Sequence, residues 1–441
     1  MVVTTGLRKL CLIFLAALAM TATWWGPARA APGDLDPTFG GGGIVATRVA
    51  ARETSGAMAV AIQADGRIVA AGGTQGSDRE RFAIVRYDVD GHLDVTFGHD
   101  GRVMTSFDAR RCVVADAVAI QSDGKIVAAG IQGCRGSFAL ARYLPNGKLD
   151  RSFGGDGKVV TRFRSGKRYA ESFAVVIQPD GKIVAAGLCC GARFFALARY
   201  LPNGKLDATF GADGKVTADL TPGSDVAYDV TLQSDGTILA VGVAAKDRDA
   251  ARFALVRYRP NGHLDTTFGR DGKVTTRPSD CVSEAHAVAV QSDGRIVAAG
   301  SAGCINEFAL AGYMTDGSLD DTFGEGGITV SDFTDFGCAQ ADLEAMAIQS
   351  DGKLVATGLT ACKGVSDVEF AFASARYDDD GTLDASFGQG GEVTTVVWDP
   401  ACFQGATGVA IQADEKVVIA GGTVCSGPRH TKFSLIRYLN A

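Results

Sequence analysis

One six-residue motif, Leu-Asp-x-Thr/Ser-Phe-Gly, occurs seven times in this chain of 441 residues. Its copies are spaced 58, 56, 57, 58, 55 and 64 residues apart, and they begin at Leu35, Leu93, Leu149, Leu206, Leu264, Leu319 and Leu383. Two further segments recur with the same period, one like "AVAIQSDGKIVAAG" and one like "FALARY". Internal repeats constrain the fold strongly, because every copy must form the same small structural unit.

Each unit is predicted to contain four short strands. In the second unit, "AVAIQ" and "KIVAAG" flank Ser122-Asp123-Gly124, and an Asp-Gly pair indicates a tight hairpin turn. "FALARYL" and "KVVTRF" supply the third and fourth strands, and no helical pattern lies between them. The period is too long for a β-solenoid and is nearer to that of propeller blades. The sequence therefore predicts an all-β fold, a seven-bladed β-propeller of four-stranded antiparallel blades.

The order of the motifs also predicts how the ring closes. After residue 30 the chain starts with the second half of a unit, and it stops after the first half of the seventh. An N-terminal strand within residues 44–49 can therefore complete the last blade and remove an open sheet edge. In the alternative, every blade is contiguous and begins with a segment such as "GKVVT". We favour closure by the N-terminal strand.

Residues 1–30 have the pattern of a signal peptide. A basic pair precedes an apolar run at residues 10–20, and Ala28 and Ala30 provide an A-x-A cleavage site. We expect a single propeller domain over residues 31–441, in a secreted or periplasmic protein. No later apolar run is long enough to cross a membrane. A net charge of −7 with 21% charged residues does not favour a nucleic-acid partner.

The repeats also resemble a known family. Units such as "VAIQSDGKIVAAG" followed by "FALARYLPNGKLDATFGADGKV" are similar to the delta-60 repeat of secreted bacterial proteins, over residues 34–439. They resemble NHL-type propeller repeats more distantly. The delta-60 resemblance implies a repeat architecture and export, and it brings no established activity or catalytic residue.

Eight cysteines occupy two equivalent positions in four of the units. The turn register pairs Gln121 with Lys125, and its continuation places Cys112 opposite Cys134. An exported protein meets an oxidising compartment, and the spacing is unlike that of zinc sites. We therefore predict four disulfides and no metal at these positions: Cys112–Cys134, Cys281–Cys304, Cys338–Cys362 and Cys402–Cys425.

Two cysteines do not fit this pattern. Cys189 and Cys190 are adjacent, at the second cysteine position of the third unit. A vicinal disulfide, a link to a partner and a pair of thiols are all consistent with the sequence.

The charged residues that recur in nearly every unit are interpreted as structural and not as part of a binding site. An arginine precedes the tyrosine in six of the "RY" segments, and an aspartate follows the leucine of each "LD" motif. One buried Arg–Asp pair per blade explains this better than a ring of charges around a channel. Gly312 takes the arginine position in one unit, where Asp320 is retained.

Calcium is the one cofactor that acidic loops of this sequence suggest. Loops such as "YDVDGHLD" (Asp88, Asp90, Asp94) and "YDDDGTLD" (Asp378 to Asp380, Asp384) have acidic residues. Turns favour Asp anyway, equivalent loops read "LPNG", and the bidentate glutamate of an EF-type loop is missing. We therefore predict neither a cofactor nor a metal site.

Function is expected in the two loops of each unit that vary, one before "AVAIQ" and one after "AAG". A hairpin places both loops at one end, so they share one face of the disc, and loops on a rigid scaffold commonly bind ligands. Basic and aromatic residues there suggest an anionic or glycan ligand, although an ordinary solvated surface is the alternative. The candidate binding residues are Arg110, Arg111, Arg135, Arg168, Tyr169, Arg193, Trp398 and Phe403.

These patterns favour a binding or interaction module whose partner is a glycan, a cell-surface component or a protein. The alternatives are a hydrolase or lyase with a metal in the central channel, and a purely structural cell-surface protein. No nucleophile elbow or phosphate-binding loop is present, so no catalytic residue is assigned. Acids or histidines that converge at one mouth of the channel would favour an enzyme.

Overall fold

Seven four-stranded antiparallel sheets make up the fold. The computed structural model describes residues 30–51, 53–76, 79–163, 169–191, 193–246, 250–363, 368–397, 402–424 and 431–440. Residues 1–29 lie outside these ranges, so the signal peptide stays a prediction. Within the described ranges, no helix is long and apolar enough to span a membrane.

The strands follow the repeat in chain order, four to a blade. Blades 1 to 3 contain β2 (Thr54–Ile62), β3 (Ile68–Gln75), β4 (Glu80–Tyr87), β5 (Arg102–Thr105); β6 (Val113–Ile120), β7 (Ile126–Gln132), β8 (Phe138–Tyr143), β9 (Lys158–Thr161); β10 (Glu171–Ile177), β11 (Ile183–Cys189), β12 (Phe194–Tyr200) and β13 (Lys215–Ala218). Blades 4 and 5 contain β14 (Ser224–Leu232), β15 (Ile238–Ala245), β16 (Ala251–Tyr258), β17 (Lys273–Thr276); β18 (Ser283–Val290), β19 (Ile296–Ala302), β20 (Glu307–Tyr313) and β21 (Ile328–Ser331). Blades 6 and 7 contain β22 (Cys338–Ile348), β23 (Leu354–Lys363), β24 (Val368–Tyr377), β25 (Glu392–Thr395); β26 (Phe403–Ile411), β27 (Val417–Val424), β28 (Lys432–Tyr438) and the N-terminal β1 (Ile44–Thr47). A short 3-10 turn, Thr334–Phe336, precedes β22.

The N-terminal strand closes the last blade, as the sequence predicts. Strand β1 pairs antiparallel with β28, with Ile44 opposite Ile436, so the seventh sheet has the order β26-β27-β28-β1. The first strands of neighbouring blades pack against each other all the way round, including β26 against β2. The ring is therefore continuous, and its first strands surround the central axis.

Each blade interface is built from small and apolar side chains with one buried tyrosine. The tyrosine that ends each third strand is at most 1% exposed. In blade 2, the Tyr143 hydroxyl donates to Thr105 Oγ1 of blade 1 at 2.7 Å, and Tyr200 repeats this contact with Thr161 at 2.9 Å. Small residues in the second strands, such as Ala128 and Ala129, let adjacent sheets approach closely.

The predicted Arg–Asp pair is present in six blades. In blade 2, Arg142 Nε lies 2.9 Å from Asp150 Oδ2, and the guanidinium also donates to the carbonyl of Pro202 in blade 3. Both side chains are buried. The pair therefore ties its own corner motif to the next blade. Equivalent ion pairs join Arg86 to Asp94, Arg199 to Asp207, Arg257 to Asp265, Arg376 to Asp384 and Arg437 to Asp36.

Blade 5 replaces the missing arginine in two ways. Arg295 Nη1 from the hairpin turn lies 3.2 Å from Asp320 Oδ2. The Phe323 ring occupies the space beside Gly312, where an added Cβ would lie 2.5 Å from the ring carbon Cγ. In the other blades the guanidinium stacks on this phenylalanine, as Arg257 does on Phe268 at 4.5 Å.

Three of the four predicted disulfides are confirmed. Cys112–Cys134, Cys281–Cys304 and Cys338–Cys362 are bonded, with Cα–Cα distances of 5.0, 5.1 and 3.7 Å. Cys402 is disulfide-bonded as well, and its predicted partner Cys425 lies outside the described residues.

The strand register behind the disulfide prediction is correct only up to the middle of the hairpin. Ala117 faces Ala129 as predicted, but Val113 faces Gln132 instead of Gly133. A β-bulge between Ala115 and Ala117 causes this shift, because it inserts one extra residue into the first strand.

Candidate functional site

The same β-bulge interrupts the first strand of every blade. A bulge leaves one residue outside the regular pairing and redirects its side chain, and bulges are frequent beside functional sites. The residues at this position differ in size, charge and polarity: Met58, Asp116, Phe173, Tyr228, His286, Glu344 and Thr407.

These seven residues surround one space on the axis of the ring. They line a cavity of about 210 Å³ together with the one or two residues that follow each of them. We call this space the axial cavity. The residue after the bulge is alanine in five blades, so the framework repeats while the bulge position varies.

Aromatic and charged bulge residues contact one another along one side of the axial cavity. The Phe173 and Tyr228 rings lie 5.4 Å apart, and the Tyr228 and His286 rings lie 4.7 Å apart. His286 Nδ1 is 3.2 Å from Glu344 Oε2, and its Nε2 is 3.7 Å from Glu284 Oε2. Burial alone would lower the pKa of His286, but Glu284 and Glu344 raise it to about 9. His286 is therefore a cation at neutral pH, held between two carboxylates.

A second group of acids lies on the neighbouring side of the ring. Burial raises the pKa of Asp116 well above its ordinary value, and the charge of Glu171 raises it further. Asp116 Oδ2 is buried and has no hydrogen-bond partner among the described residues. The Tyr169 hydroxyl donates to Glu171 Oε2, and burial raises the pKa of Glu171 despite that bond.

A larger cavity of about 700 Å³ opens between blades 1, 2, 6 and 7, at the end of the channel where the variable loops begin. We call it the mouth cavity. Glycines keep it open: an added Cβ at Gly56 would lie 3.7 Å from the Cα of Gly422 across the space. Its other lining residues include Val114, Leu359 and Phe403. It shares Met58, Glu344 and Thr407 with the axial cavity, so the two spaces adjoin each other.

The structure spreads the sequence-predicted binding residues over separate contacts. Arg110 and Arg135 are exposed, and Arg111 Nη1 lies 3.8 Å from Glu80 Oε1 of blade 1. The Arg193 guanidinium lies 5.7 Å from the ring centre of Phe194. The Arg111 ion pair therefore joins the first of these loops to Glu80, which lines the mouth cavity, whereas no described contact joins Arg135 or Arg193 to either cavity.

One of the predicted aromatic residues, Phe403, lines a cavity. Tyr169 is half-buried and bonded to Glu171, as described above. Phe403 is 49% exposed, lines the mouth cavity and lies 5.0 Å from the Phe370 ring. Arg168 and Trp398 lie outside the described residues.

The acidic loops considered for calcium use their carboxylates in turns and ion pairs. Asp88 Oδ1 accepts from the backbone N–H groups of Asp90 and His92, and Asp384 is paired with Arg376. Among the described residues, no group of three or more His, Cys, Asp or Glu side chains is arranged to hold a metal ion.

The adjacent cysteines of blade 3 are buried, with exposures of 0% for Cys189 and 7% for Cys190. Their sulfur atoms lie 2.8 Å apart, outside any disulfide, and Cys190 has a positive φ of 64°. Burial disfavours a link to a partner, and in this structure the two side chains are adjacent thiols in contact with each other.

Six of the seven units match a protein-family model described as "Domain of unknown function (DUF5122) beta-propeller". The matched residues are 63–97, 121–153, 178–210, 233–268, 291–323 and 349–387. No curated protein matches the chain significantly.

Several solved structures resemble the fold at low identity. A protein of unknown function from Dyadobacter fermentans DSM 18053 is 12% identical, with a TM-score of 0.46 over 90% of this chain and 98% of the other. Sqt1 from Chaetomium thermophilum is 13% identical, with a TM-score of 0.46 over 89% and 98%. The polysaccharide lyase Uly1 is 13% identical, with a TM-score of 0.44 over 87% and 90%. Similarity at this level gives no basis for transferring a function.

Proposed function

This chain is a β-propeller repeat protein, and we propose that it is an exported glycan-binding module whose ligand occupies the mouth and axial cavities. The observation that carries this proposal is the contrast between a repeated framework and seven unlike residues at one channel position. A ring with only a structural role would repeat that position, as it repeats the Arg–Asp pair and the buried tyrosine. Variation confined to a shared cavity is expected where a ligand contacts each blade differently.

The chemistry of the two cavities supports a glycan. Sugar rings offer apolar faces that pack on aromatic and aliphatic side chains, and their hydroxyl groups donate hydrogen bonds to carboxylates. Phe173, Tyr228 and Phe403 supply the first kind of contact, and Asp116 and Glu344 supply the second. A mouth cavity of about 700 Å³ lies within the usual size of ligand sites. The carboxylates disfavour an anionic ligand on the axis.

Export is supported by the chain's own chemistry. Three within-blade disulfides are typical of proteins that fold in an oxidising compartment. The signal-peptide pattern of residues 1–30 and the resemblance to repeats of secreted bacterial proteins agree with this placement.

A glycan array tests the proposed function. Residues 31–441 are probed together with Gly56→Val, which fills the mouth cavity at a position without positive φ. Gly41→Val is the matched control, because Gly41 lies in an exposed turn with no atom within 4 Å of an added Cβ. We expect the parent and the control to bind the same glycans and Gly56→Val to lose them at an unchanged melting temperature. Equal binding by all three proteins, or no glycan bound by the parent, would overturn the proposal.

One observation favours a second candidate, a hydrolase or lyase. A buried carboxyl of raised pKa, such as Asp116, suits a general acid, and His286 with Glu344 lies on the same cavity. Incubation of the bound glycan with the protein separates the candidates. If new reducing ends form with the parent protein but not with the Asp116→Asn variant, the protein is an enzyme. If the glycan stays intact, the binding module remains the proposed function.

A further inference from the structure

We propose that the axial cavity is a subsite for a protonated amine, so that the preferred glycan carries free amino groups instead of acylated ones. This inference rests on the proposed function and names the ligand chemistry of the same site. It follows from three features of the cavity: its charge balance, one unpartnered carboxyl oxygen and a wall of aromatic rings.

Carboxyl groups outnumber basic groups around the axial cavity. Asp116, Asp229 and Glu344 line the cavity, and Glu171 and Glu284 interact with residues that line it. Among the described lining residues, His286 is the one basic group, and it is already held between Glu284 and Glu344. Carboxyl groups around the cavity therefore outnumber its basic groups, and an entering cation, which stabilises their ionised form, is favoured over an anionic group.

Asp116 provides the specific contact. Its Oδ2 is buried and unpartnered among the described residues, although buried polar atoms in folded proteins usually have a hydrogen-bond partner. An ammonium group would supply the missing donor and neutralise the charge that burial makes unfavourable. Such charge-assisted bonds are stronger than bonds between neutral groups.

Aromatic rings line the same cavity as this carboxyl. Phe173 and Tyr228 occupy the next two bulge positions after Asp116 and line the same cavity, with ring centres 5.4 Å apart. Ring faces attract organic cations, whereas metal ions prefer several oxygen ligands. The described residues offer no such ligand group. The combination of carboxyl and rings therefore points to an amine.

The sizes of the two cavities indicate which part of the glycan each of them would hold. About 210 Å³ is small for a whole ligand site, whereas the adjoining mouth cavity of about 700 Å³ can hold further sugar residues. The amine of one sugar would reach the axis between Asp116 and the rings. The apolar face of the chain would rest on the glycine-lined wall at Gly56 and Gly422.

Calorimetric titration with two matched probes tests the inference. The probes are the β-1,4-linked glucosamine tetramer and the N-acetylglucosamine tetramer, titrated into residues 31–441. We expect the free amine to bind about tenfold to a hundredfold more tightly, as a charge-assisted bond in a desolvated site implies. Asp116→Asn should remove most of this preference. The control Asp108→Asn neutralises an exposed aspartate of the same blade and should retain it.

The outcomes separate this inference from the proposed function. Equal affinity for both probes, or a preference unchanged in Asp116→Asn, overturns the amine subsite and leaves glycan binding intact. No affinity for either probe also overturns the subsite, and the glycan array then decides the proposed function. Asp116→Asn should fold, because Oδ2 has no bond to lose. If it does not fold, Phe173→Leu is the second variant, and an unchanged preference in that variant also contradicts the inference.

Discussion

The Asp residue of each corner motif shows how one buried charge fixes a local arrangement. Six of these aspartates have an arginine from the third strand, and Asp320 has Arg295 from the hairpin turn instead. Position 67 in blade 1 is equivalent to position 295, and Arg67 Nε also contacts its aspartate, Asp94, at 3.0 Å. In blade 1, however, Arg86 pairs with Asp94 as well.

This difference predicts unequal effects of one substitution at two equivalent positions. Arg295→Ala removes the cation paired with buried Asp320, so we expect it to lower the free energy of unfolding by about 3 kcal/mol. Arg67→Ala leaves the Arg86–Asp94 pair in place, so we expect a loss of about 1 kcal/mol or less. Thermal melting of both variants at neutral pH provides the measurement. Equal shifts would show that Arg295 does not substitute for the missing arginine.

At the residue scale, the sequence predicted scaffold contacts better than site contacts. The Arg–Asp pairs and three disulfides could be predicted because each is repeated at a fixed spacing. The bulge residues were missed because each directly precedes the repeated "AVAIQ" segment, where a regular strand was assumed. The available signal was a single varying position between two small residues, as at Asp116 between Ala115 and Ala117.

At the scale of elements, the hairpin and the closing strand have different origins. The hairpin turns are local, since Asp-Gly or a related pair fixes each of them. The closure between β1 and β28 joins residues almost 400 positions apart. It could be predicted because the order of repeated motifs shows which strand the last blade lacks. The bulges could not be predicted, because a one-residue insertion leaves the spacing of motifs unchanged.

Deletion of residues 31–50 tests the role of the closing strand. It removes β1 and also Asp36, which pairs with Arg437 of β28 at 2.8 Å. Arg437 then stays buried without its carboxylate, and β28 becomes an open sheet edge. We expect the melting temperature to fall by more than 10 °C, or the protein to aggregate. A synthetic peptide of residues 31–50 should restore part of the loss, and an unchanged melting temperature would contradict closure.

For the whole molecule, two classes of acid respond to pH in opposite directions. Burial would raise the pKa of Asp36, but bonds from Thr38 and charges from Arg437 and Lys416 lower it to about 2. Its stabilisation is therefore present above the unfolded value of 3.8 and is lost as the pH falls toward 2. Burial raises the pKa of Asp229 to about 6, and burial with nearby aspartates raises that of Glu392 to about 7.

The acids of raised pKa make the protein less stable as the pH rises from about 4 to 7, because the folded state then binds more protons than the unfolded state. His286 adds to this loss between its ordinary pKa of 6.5 and about 9. We therefore expect the melting temperature to peak near about pH 4 to 5. Glu392→Gln should flatten the decline between pH 5 and 7, and a melting temperature that rises steadily to pH 8 would contradict this balance.

The central claim is that the ligand binds on the axis, at the bulges of the first strands, and not on the outer arginine loops. Hydrogen exchange of residues 31–441, with and without the tightest-binding glycan of the array, tests it most directly. We predict slower exchange at the bulge segments of β6, β10, β14, β18 and β22, together with β2 and β26 at the mouth cavity. Protection confined to the loops that carry Arg110, Arg135 and Arg193 would contradict the claim and favour the surface patch.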